Sequence, residues 1–264
     1  MCGILGLRRF TVSVAALTSI QNPLIKSVRR AISRGGTTHD GLCVAEGFHL
    51  LEEALRSGCE VAAVLATEEA AERAAVPVQT ISDAVFREIS TTATSQGIIA
   101  LVRPPSWRVE EMRRGEALVV VLDGIQEPGN AGAILRTAEA FGASGAVFLK
   151  GSVDPYNPKC LRASAGSIFR LPVLSGMGED ELDGALAGVT VYAAMPDAAI
   201  SAEAADLSRP CALVIGSEGK GVRPSIWQRA TGLRIPTTGV ESLNAAVAAG
   251  ILLYEARRQR AGKR

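Results

Sequence analysis

The sequence has few residues suited to a metal site or a disulfide framework. Its 264 residues include two histidines and five cysteines, the latter at positions 2, 43, 59, 160 and 211. These residues form no CxxC or Cys/His cluster, which argues against zinc, and an odd number of separated cysteines argues against disulfides. We therefore expect no bound metal and a reducing, cytoplasmic location.

Long hydrophobic runs and aromatic residues are also scarce. No apolar run approaches the roughly 20 residues that a membrane span needs, so no membrane association is predicted. Residues 1–17 contain an apolar patch, but Arg8 and Arg9 divide it and no cleavage site follows, which argues against a signal peptide. Aromatic residues make up 4 %, so base stacking cannot be widespread, while 47 % hydrophobic residues predict a globular chain.

Charge is balanced overall but unevenly distributed. The formal net charge is +1, yet residues 1–39 carry six basic residues and no acid, and the tail after Glu255 carries five basic residues. Four of the first group share one predicted helix, which favours contact with nucleic acid. For the tail, a solvated terminus and a nucleic-acid contact both remain open.

The opening residues offer a different interpretation. Residues 1–6, MCGILG, resemble the start of glutamine amidotransferases, in which the N-terminal cysteine is the nucleophile. Such an enzyme would need a long β-rich domain behind Cys2. A basic helical segment begins near Ile20 instead, so we reject this interpretation.

The helix predicted over residues 22–34 opens the first structural unit. Asn22 can cap it, Pro23 suits its first turn, and Leu24, Val28 and Ile32 recur at helical spacing. Short strands and helices alternate from there to a pair of prolines. We predict a small α/β domain at residues 18–104 and a linker at 105–116.

Residues 117–264 predict a second α/β domain. Buried-type strands alternate with helices, which indicates a parallel sheet with helices on both faces. The predicted strands are 118–122, 147–149, 169–173, 189–193 and 211–215, and the predicted helices are 131–141, 158–166, 180–187 and one that can begin at Ser242. A dinucleotide site after the first strand is not favoured, because the spacing Gly129-x-x-Gly132 lacks the required third glycine and no acid ends the next strand.

Two loops near the end of the chain are typical of a ligand pocket. The strand at 211–215 stops at a loop with Gly216, Gly219 and Gly221, whose glycines allow tight turns and close approach of a ligand. A second loop, 237–240, follows the next short strand. Loops that end neighbouring parallel strands would form one pocket.

These loops carry a family resemblance. The segments 216–219 (GSEG), 235–236 (IP) and 242–244 (SLN) resemble the last two motifs of the SpoU/TrmH RNA ribose methyltransferases of the SPOUT superfamily. The first motif of that family, an Asn and an Arg six residues apart after a strand, is present as Asn130 and Arg136. All three motifs occur in the family's order and at its separations.

The resemblance implies a fold, a cofactor and a reaction. It implies a deep trefoil knot in the second domain that binds S-adenosylmethionine, with Gly216, Ile235 and Leu243 holding the adenine. Ile235 and Leu243 can equally be ordinary core residues. It also implies 2′-O-methylation of an RNA ribose by five catalytic residues: Arg136, Asn130, Glu218, Ser242 and Asn244. A guanidinium is effectively always protonated, so we expect Arg136 to anchor phosphate and ribose.

Several of these positions have a structural alternative. Asn130 and Ser242 can each cap a helix. Glu46, in the first domain, is expected to cap the helix that follows it. Leu243, Val247, Ile251 and Tyr254 form a helical apolar stripe, which is usually core, although the final helix of this family also helps to form a homodimer.

The resemblance further assigns RNA recognition to the first domain, which is similar to ribosomal-protein-like substrate domains. We expect substrate RNA to meet Lys26, Arg29, Arg30 and Arg34 on the first helix, together with Arg162 and Arg170. Ribosomal RNA is favoured over transfer RNA, because such an added domain is common in the ribosomal branch. That branch includes antibiotic-resistance enzymes, which the sequence does not separate. The alternatives are a tRNA ribose methyltransferase and a non-catalytic knotted RNA-binding protein of ribosome assembly.

Overall fold

The computed structural model describes residues 16–113 and 115–262. Cys2 and the segment 1–15, on which the amidotransferase and leader interpretations rest, lie outside the described residues, as do the basic Lys263 and Arg264. Within the described ranges the chain forms two sheets, each covered by helices.

The first unit is built on a four-stranded sheet of order β1-β4-β2-β3, in which β4 is antiparallel to both neighbours. Helices α1 and α4 pack on one face and α2 and α3 on the other. The elements are α1 (Pro23–Arg34), β1 (Cys43–Glu46), α2 (Phe48–Arg56), β2 (Val61–Ala66), α3 (Glu68–Arg73), β3 (Gln79–Thr80), α4 (Asp83–Arg87) and β4 (Ile98–Val102).

Helix α1 begins where the sequence predicts and buries a wider apolar face than the predicted stripe. The Asn22 side chain accepts a hydrogen bond from the Leu24 N–H at 2.9 Å, which caps the helix. The fully buried residues are Ile25, Val28 and Ala31, and the predicted Leu24 and Ile32 are partly buried against the same core. The four basic side chains of the helix are exposed: Lys26, Arg29, Arg30 and Arg34.

The second unit is a seven-stranded parallel sheet of order β7-β6-β5-β10-β8-β11-β9. Its elements are α5 (Val109–Met112), β5 (Leu118–Asp123), α6 (Pro128–Ala140), β6 (Gly145–Leu149), α7 (Pro158–Ser164), a 3-10 turn (Ser167–Phe169), β7 (Val173–Met177), α8 (Glu179–Ala185), β8 (Thr190–Ala194), β9 (Ile200–Ser201), β10 (Cys211–Gly216), α9 (Pro224–Trp227), β11 (Thr231–Arg234) and α10 (Ala245–Ala261).

Helices cover both faces of this sheet, which confirms the predicted architecture. Along β5, Val120 and Leu122 pack with α6 and α10, whereas Val119 and Val121 pack with α8. A strand that is buried on both faces has a continuous run of apolar residues in its sequence, as β5 does. The domain limits of 18–104, 105–116 and 117–264 stay predictions.

Several predicted boundaries were wrong for local reasons. Helix α6 starts at Pro128, whose fixed φ suits a first helical position, so Glu127 and not Asn130 caps it. Helix α10 starts at Ala245 and is capped by Asn244, not Ser242. The strand predicted at 169–173 begins only at Val173, because Phe169 ends a 3-10 turn and residues 170–172 connect that turn to the strand. Strand β9 and helix α9 were not predicted.

Ion pairs join the two units and use two arginines that were expected to meet RNA. Arg170 binds Glu53 of α2 and also Glu139 of α6, at 2.6 Å from the latter. Arg162 lies 3.9 Å from the Glu46 carboxylate. Both arginines therefore hold α2 and β1 against the second unit, which is a different role from the predicted RNA contact.

Glu46 is structural, as expected, but its partners differ from those predicted. Its buried carboxylate accepts hydrogen bonds from the loop after α4 and does not cap α2, whose first N–H binds Gln96 instead. The donors are Ser90 Oγ, the N–H and Oγ1 of Thr91, Thr92 Oγ1 and Ser95 Oγ. Glu46 thus fixes the loop that contacts Arg162.

Candidate active site

A cavity of about 280 Å³ opens at the carboxyl ends of β8, β10 and β11. Its lining includes all three residues predicted to hold a cofactor, Gly216, Ile235 and Leu243. Glu218 and Ser242 line it as well. The carboxyl edge of an open parallel sheet is where α/β proteins place ligands.

The glycine loop forms one wall because its backbone turns back on itself. A Cβ added at Gly216 would lie 2.0 Å from the carbonyl carbon of Gly221, so no larger residue fits there. The Gly221 N–H donates to the Ser217 carbonyl at 2.9 Å, and Gly221 has a φ of +64°. The wall therefore presents backbone groups, which can bind a flat ring at close range.

The remaining walls are mainly apolar. Ile235 and Leu243 are half-buried, and Leu233, Ala245 and Ala248 complete the lining beside them. Ile235 also packs against the core, so the cofactor and core interpretations both apply to it. A mostly apolar slot with a few backbone groups fits an adenosine-sized ligand.

Three polar side chains from distant parts of the chain meet at the cavity mouth. Asn244 Nδ2 donates to Asn130 Oδ1 at 3.1 Å, and Asn130 Nδ2 donates to a carboxylate oxygen of Glu218. Asn244 Oδ1 is already used as the cap of α10, accepting from the N–H groups of Ala246 and Val247. The cap therefore fixes which way each amide points, and the second carboxylate oxygen of the exposed Glu218 has no hydrogen bond within the described part of the chain.

The early start of α6 makes this contact possible. Since Glu127 caps the helix, Asn130 lies in its first turn and its amide is free to reach Glu218 and Asn244. The Lys159 ammonium and the Gly129 N–H hold the pKa of Glu127 below its ordinary value. This capping carboxylate and Lys159, at the same end of α6, were missed by sequence reasoning.

Ser242 lies in the cavity lining without the capping role considered for it. It is exposed, and it makes no hydrogen bond among the residues that the structure describes. Its hydroxyl is available to a ligand.

Arg136 is not in the cavity of its own chain. It lies on α6, six residues after Asn130 and hence about 9 Å further along the helix axis. The side chain is exposed and has no ion pair or hydrogen bond within the described part of the chain. An unpaired guanidinium on this helix is free to bind a group from outside the chain.

The helix that carries Arg136 packs against α10, which has an apolar surface that the single chain leaves uncovered. Helices α6 and α10 run side by side, and the Phe141 and Tyr254 rings meet edge to face at 5.6 Å. Val247, Ile251 and Tyr254 on α10 are 50 %, 39 % and 55 % exposed, so these three residues of the predicted stripe are not core within the single chain. We refer to these three residues as the α10 face.

The basic helix α1 leads toward the site. Its C-terminal glycine, Gly35, packs against Asn157, the N-cap of α7, and Gly36 packs against Asp154. Two residues beyond Asn157, Lys159 binds Glu127 at the start of α6. The exposed charges of α1 thus end close to the helix that carries Asn130.

No group of three or more potential metal ligands occurs within residues 16–113 and 115–262. Over the same ranges, the structure contains no helix with the length and apolarity to cross a membrane.

Comparison with known proteins gives consistent matches over both units. A family model described as the SpoU rRNA Methylase family matches residues 117–254, and one described as the MRM3-like substrate binding domain matches residues 22–100. An uncharacterized tRNA/rRNA methyltransferase of Synechocystis sp. is 36 % identical, over 94 % of this chain and 96 % of the relative.

Two further relatives carry more specific names. The 23S rRNA (guanosine(2553)-2'-O)-methyltransferase RlmP of Bacillus subtilis is 32 % identical, over 91 % of this chain and 98 % of its own. The crystal structure of an AdoMet-bound rRNA methyltransferase from Sinorhizobium meliloti is 28 % identical with a TM-score of 0.79, covering 92 % of this chain and 97 % of the other.

Proposed function

The chain belongs to the SpoU rRNA methylase family, and we propose that it methylates the 2′-hydroxyl of an RNA ribose with S-adenosylmethionine, acting on ribosomal RNA. The observation that carries the proposal is the hydrogen-bonded chain from Asn244 through Asn130 to Glu218, at the mouth of an apolar cavity. The names of the Bacillus subtilis and Sinorhizobium meliloti relatives support the substrate and the cofactor.

The residues present fit this cofactor and this reaction. When bound, S-adenosylmethionine would supply an electrophilic methyl group: as the ribose oxygen bonds to that carbon, the carbon–sulfur bond breaks, the sulfur leaves as a neutral thioether, and the hydroxyl proton is released to water. Because the leaving group is neutral, no acid is needed. The work of the protein is to align the oxygen, carbon and sulfur and to help the hydroxyl lose its proton. Gly216, Ile235 and Leu243 would hold the adenine.

Glu218 is the group that we assign to the ribose hydroxyl. Asn130 holds one of its carboxylate oxygens, so the other is oriented and can accept a hydrogen bond from the substrate. Asn244 acts through Asn130 and so positions both groups. Ser242, with its free hydroxyl, would bind the cofactor or the ribose.

We assign Arg136 to the active site of a second copy of the chain. The α10 face is an exposed apolar surface beside α6, and a homodimer formed through it would bury the face and bring Arg136 to the partner's cavity mouth. There the guanidinium would bind substrate phosphate and ribose. Each active site would then need both chains.

The first unit would recruit the RNA. Lys26, Arg29, Arg30 and Arg34 are exposed on α1, and phosphate contacts by such residues supply affinity without sequence selectivity. Because α1 ends against the loop before α7, RNA bound along it would be directed toward Asn130. Residues 18–104 would form this RNA-binding domain and 105–116 the linker.

Two further features belong to this proposal. Residues 117–264 would form a catalytic domain with a deep trefoil knot, which is supported by the insertion of β10 between β5 and β8 in the sheet order. The reaction would take place in the cytoplasm, where ribosomal RNA is accessible.

Transfer of tritium from methyl-labelled S-adenosylmethionine to total RNA tests the activity. We expect label in ribosomal RNA that survives alkaline hydrolysis in a dinucleotide, because a methylated 2′-oxygen cannot attack the adjacent phosphate. Label confined to transfer RNA would make the chain a tRNA methyltransferase instead. RNA binding with no transfer to any RNA would make it a non-catalytic assembly protein.

A further inference from the structure

The glycine loop that carries Glu218 is closed by one side chain outside all three motifs. Asp123 ends β5, is 3 % exposed, and pairs in register with Gly216 of the neighbouring strand. Its carboxylate accepts a hydrogen bond from the Arg223 backbone N–H at 2.8 Å and pairs with the Arg223 guanidinium at 2.5 Å. Asp123 therefore holds both ends of the segment 217–222, one by strand pairing and the other by its side chain.

The other partners of Arg223 hold only its guanidinium. Glu179 lies 3.2 Å from Nη1, and the Lys150 carbonyl accepts from Nη2 at 3.0 Å. Neither reaches the backbone of residue 223. Asp123 is thus the side chain that binds the backbone N–H at residue 223, where the loop ends and α9 begins.

The shape of the loop follows from where its ends are held. Gly216 packs directly against the Gly221 backbone, and the Gly221 N–H donates a hydrogen bond to the Ser217 carbonyl. The loop therefore forms a single compact turn. That turn contributes Ser217, Glu218 and Gly221 to the cavity lining. Asp123 is buried behind it with both carboxylate oxygens used by Arg223. It can affect a ligand only through the loop.

We propose that Asp123 is a positioning residue for the cofactor, whose carboxylate keeps the segment 217–222 in the shape that binds S-adenosylmethionine and sets Glu218 against Asn130. This inference rests on the proposed function, because it takes the ligand of the loop to be that cofactor.

Asp123→Asn in the full-length protein is the first test. The amide has one acceptor oxygen, and its NH₂ group would face a donor of Arg223, so one of the two contacts is lost. Hydrogen bonds to charged groups of this kind correspond to roughly ten- to hundredfold in an equilibrium constant. We expect the Kd for S-adenosylmethionine in calorimetry, and its KM, to rise by that factor, and trypsin to cleave faster after the exposed Lys220.

The matched control is Glu179→Gln, which removes a carboxylate from the same guanidinium but leaves the backbone contact at residue 223. We expect its Kd and KM for the cofactor to stay within about twofold of wild type. A merely structural role of Asp123 would lower the thermal transition without moving KM, and that result would overturn the inference.

A second pair of variants decides the question even if Asp123→Asn does not fold. Arg223→Ala keeps the backbone N–H, whereas Arg223→Pro removes it at a residue whose φ of −65° suits proline. We expect the alanine variant to bind the cofactor much more tightly than the proline variant. Equal affinities would refute the role of Asp123, whereas a wild-type protein that does not bind the cofactor would refute the proposed function itself.

Discussion

Asn244 donates its side-chain amide to Asn130 at 3.1 Å while its own oxygen caps α10, so one residue both starts a helix and orients an active-site amide. The capping bonds come from backbone N–H groups, which can only donate, and this leaves the amide nitrogen of Asn244 for Asn130. Because the Asn130 side-chain oxygen accepts from Asn244, its nitrogen remains as the donor to Glu218. The N-terminus of α10 thereby determines the direction of the two hydrogen bonds that join Asn244, Asn130 and Glu218.

Asn244→Asp separates these two roles. Aspartate caps helices as well as asparagine does, so we expect the free energy of unfolding to change by less than about 0.5 kcal/mol. It cannot donate to Asn130, and its charge repels Glu218, so the single-turnover rate of methyl transfer should fall by at least roughly tenfold. Rapid-quench assays and urea unfolding measure the two quantities.

Asn244→Ala is the comparison. It removes the cap as well as the contact, and it should cost about 1 kcal/mol of stability in addition to the loss of rate. Wild-type transfer rates in the aspartate variant would show that the orientation of Asn130 does not matter for catalysis.

Arg136→Ala should abolish methyl transfer and leave cofactor binding unchanged, because Arg136 does not line the cavity of its own chain. Mixing this variant with Leu243→Arg, which places a cation in the cofactor slot, tests whether Arg136 acts across a dimer. Each mixed dimer would have one site with an intact slot and the partner's arginine. Random assortment then predicts recovery of about a quarter of wild-type activity.

Two results would contradict this arrangement. Equal loss of cofactor affinity and transfer in Arg136→Ala would place the arginine in the cofactor site instead. No recovery in the mixture would place it in the site of its own chain, provided that calorimetry confirms an empty slot in Leu243→Arg and that sedimentation shows mixed dimers.

Removal of the α1 charges should weaken RNA binding and its salt dependence together. Each phosphate contact with single-stranded RNA contributes about 0.7 to the slope of log K against log salt concentration. We expect Arg30→Ala combined with Arg34→Ala to lower the slope for ribosomal RNA by about 1.4, if each arginine contacts one phosphate. Filter binding at several salt concentrations measures it.

Arg209→Ala is the matched control for that experiment. Arg209 is an exposed arginine that precedes β10, at the end of the sheet opposite the cavity, and it pairs with Asp206. Its removal should leave the slope unchanged. A slope that falls equally in both variants would mean that the RNA contact is diffuse and not concentrated on α1.

The sequence could predict the strands and the glycine loop because their signals are local. A run of apolar residues that stops at a glycine predicts β10 and the turn after it, whatever packs around them. The cap of α6 also has a local signal, because Pro128 suits a first helical position and so favours Glu127 as the cap. The contact of Asn130 with Glu218 has no such signal, because it joins residues that are distant in the sequence. The hydrogen bond between Asp123 and the Arg223 N–H joins residues 100 positions apart, so no local sequence pattern predicts it.

The ion pairs of Arg162 and Arg170 show the same limit. From the sequence, both side chains were expected to contact RNA, but Glu46 and Glu53 from the first unit pair with them. Their partners follow from how the two units pack, which no single segment encodes.

Glu46 allows a prediction about acid stability. Burial opposes its ionisation, yet hydrogen bonds from Thr91, Ser90 and Ser95 prevail and hold its pKa below the ordinary value of 4.5. A lowered pKa in the folded state stabilises the protein above pH 4.5, and that contribution is lost as the pH falls through the folded-state pKa. Below pH 4.5 the wild type should therefore lose stability progressively.

Glu46→Gln should be less stable than the wild type at pH 7 by about 1–3 kcal/mol, since the neutral amide cannot accept all five hydrogen bonds. The difference should shrink below pH 4.5, because the wild-type residue then becomes protonated as well. Urea unfolding from pH 3 to pH 7 measures it. A constant difference over that range would mean that the charge of Glu46 does not stabilise the loop, and that its shape alone holds residues 90–95 against Arg162.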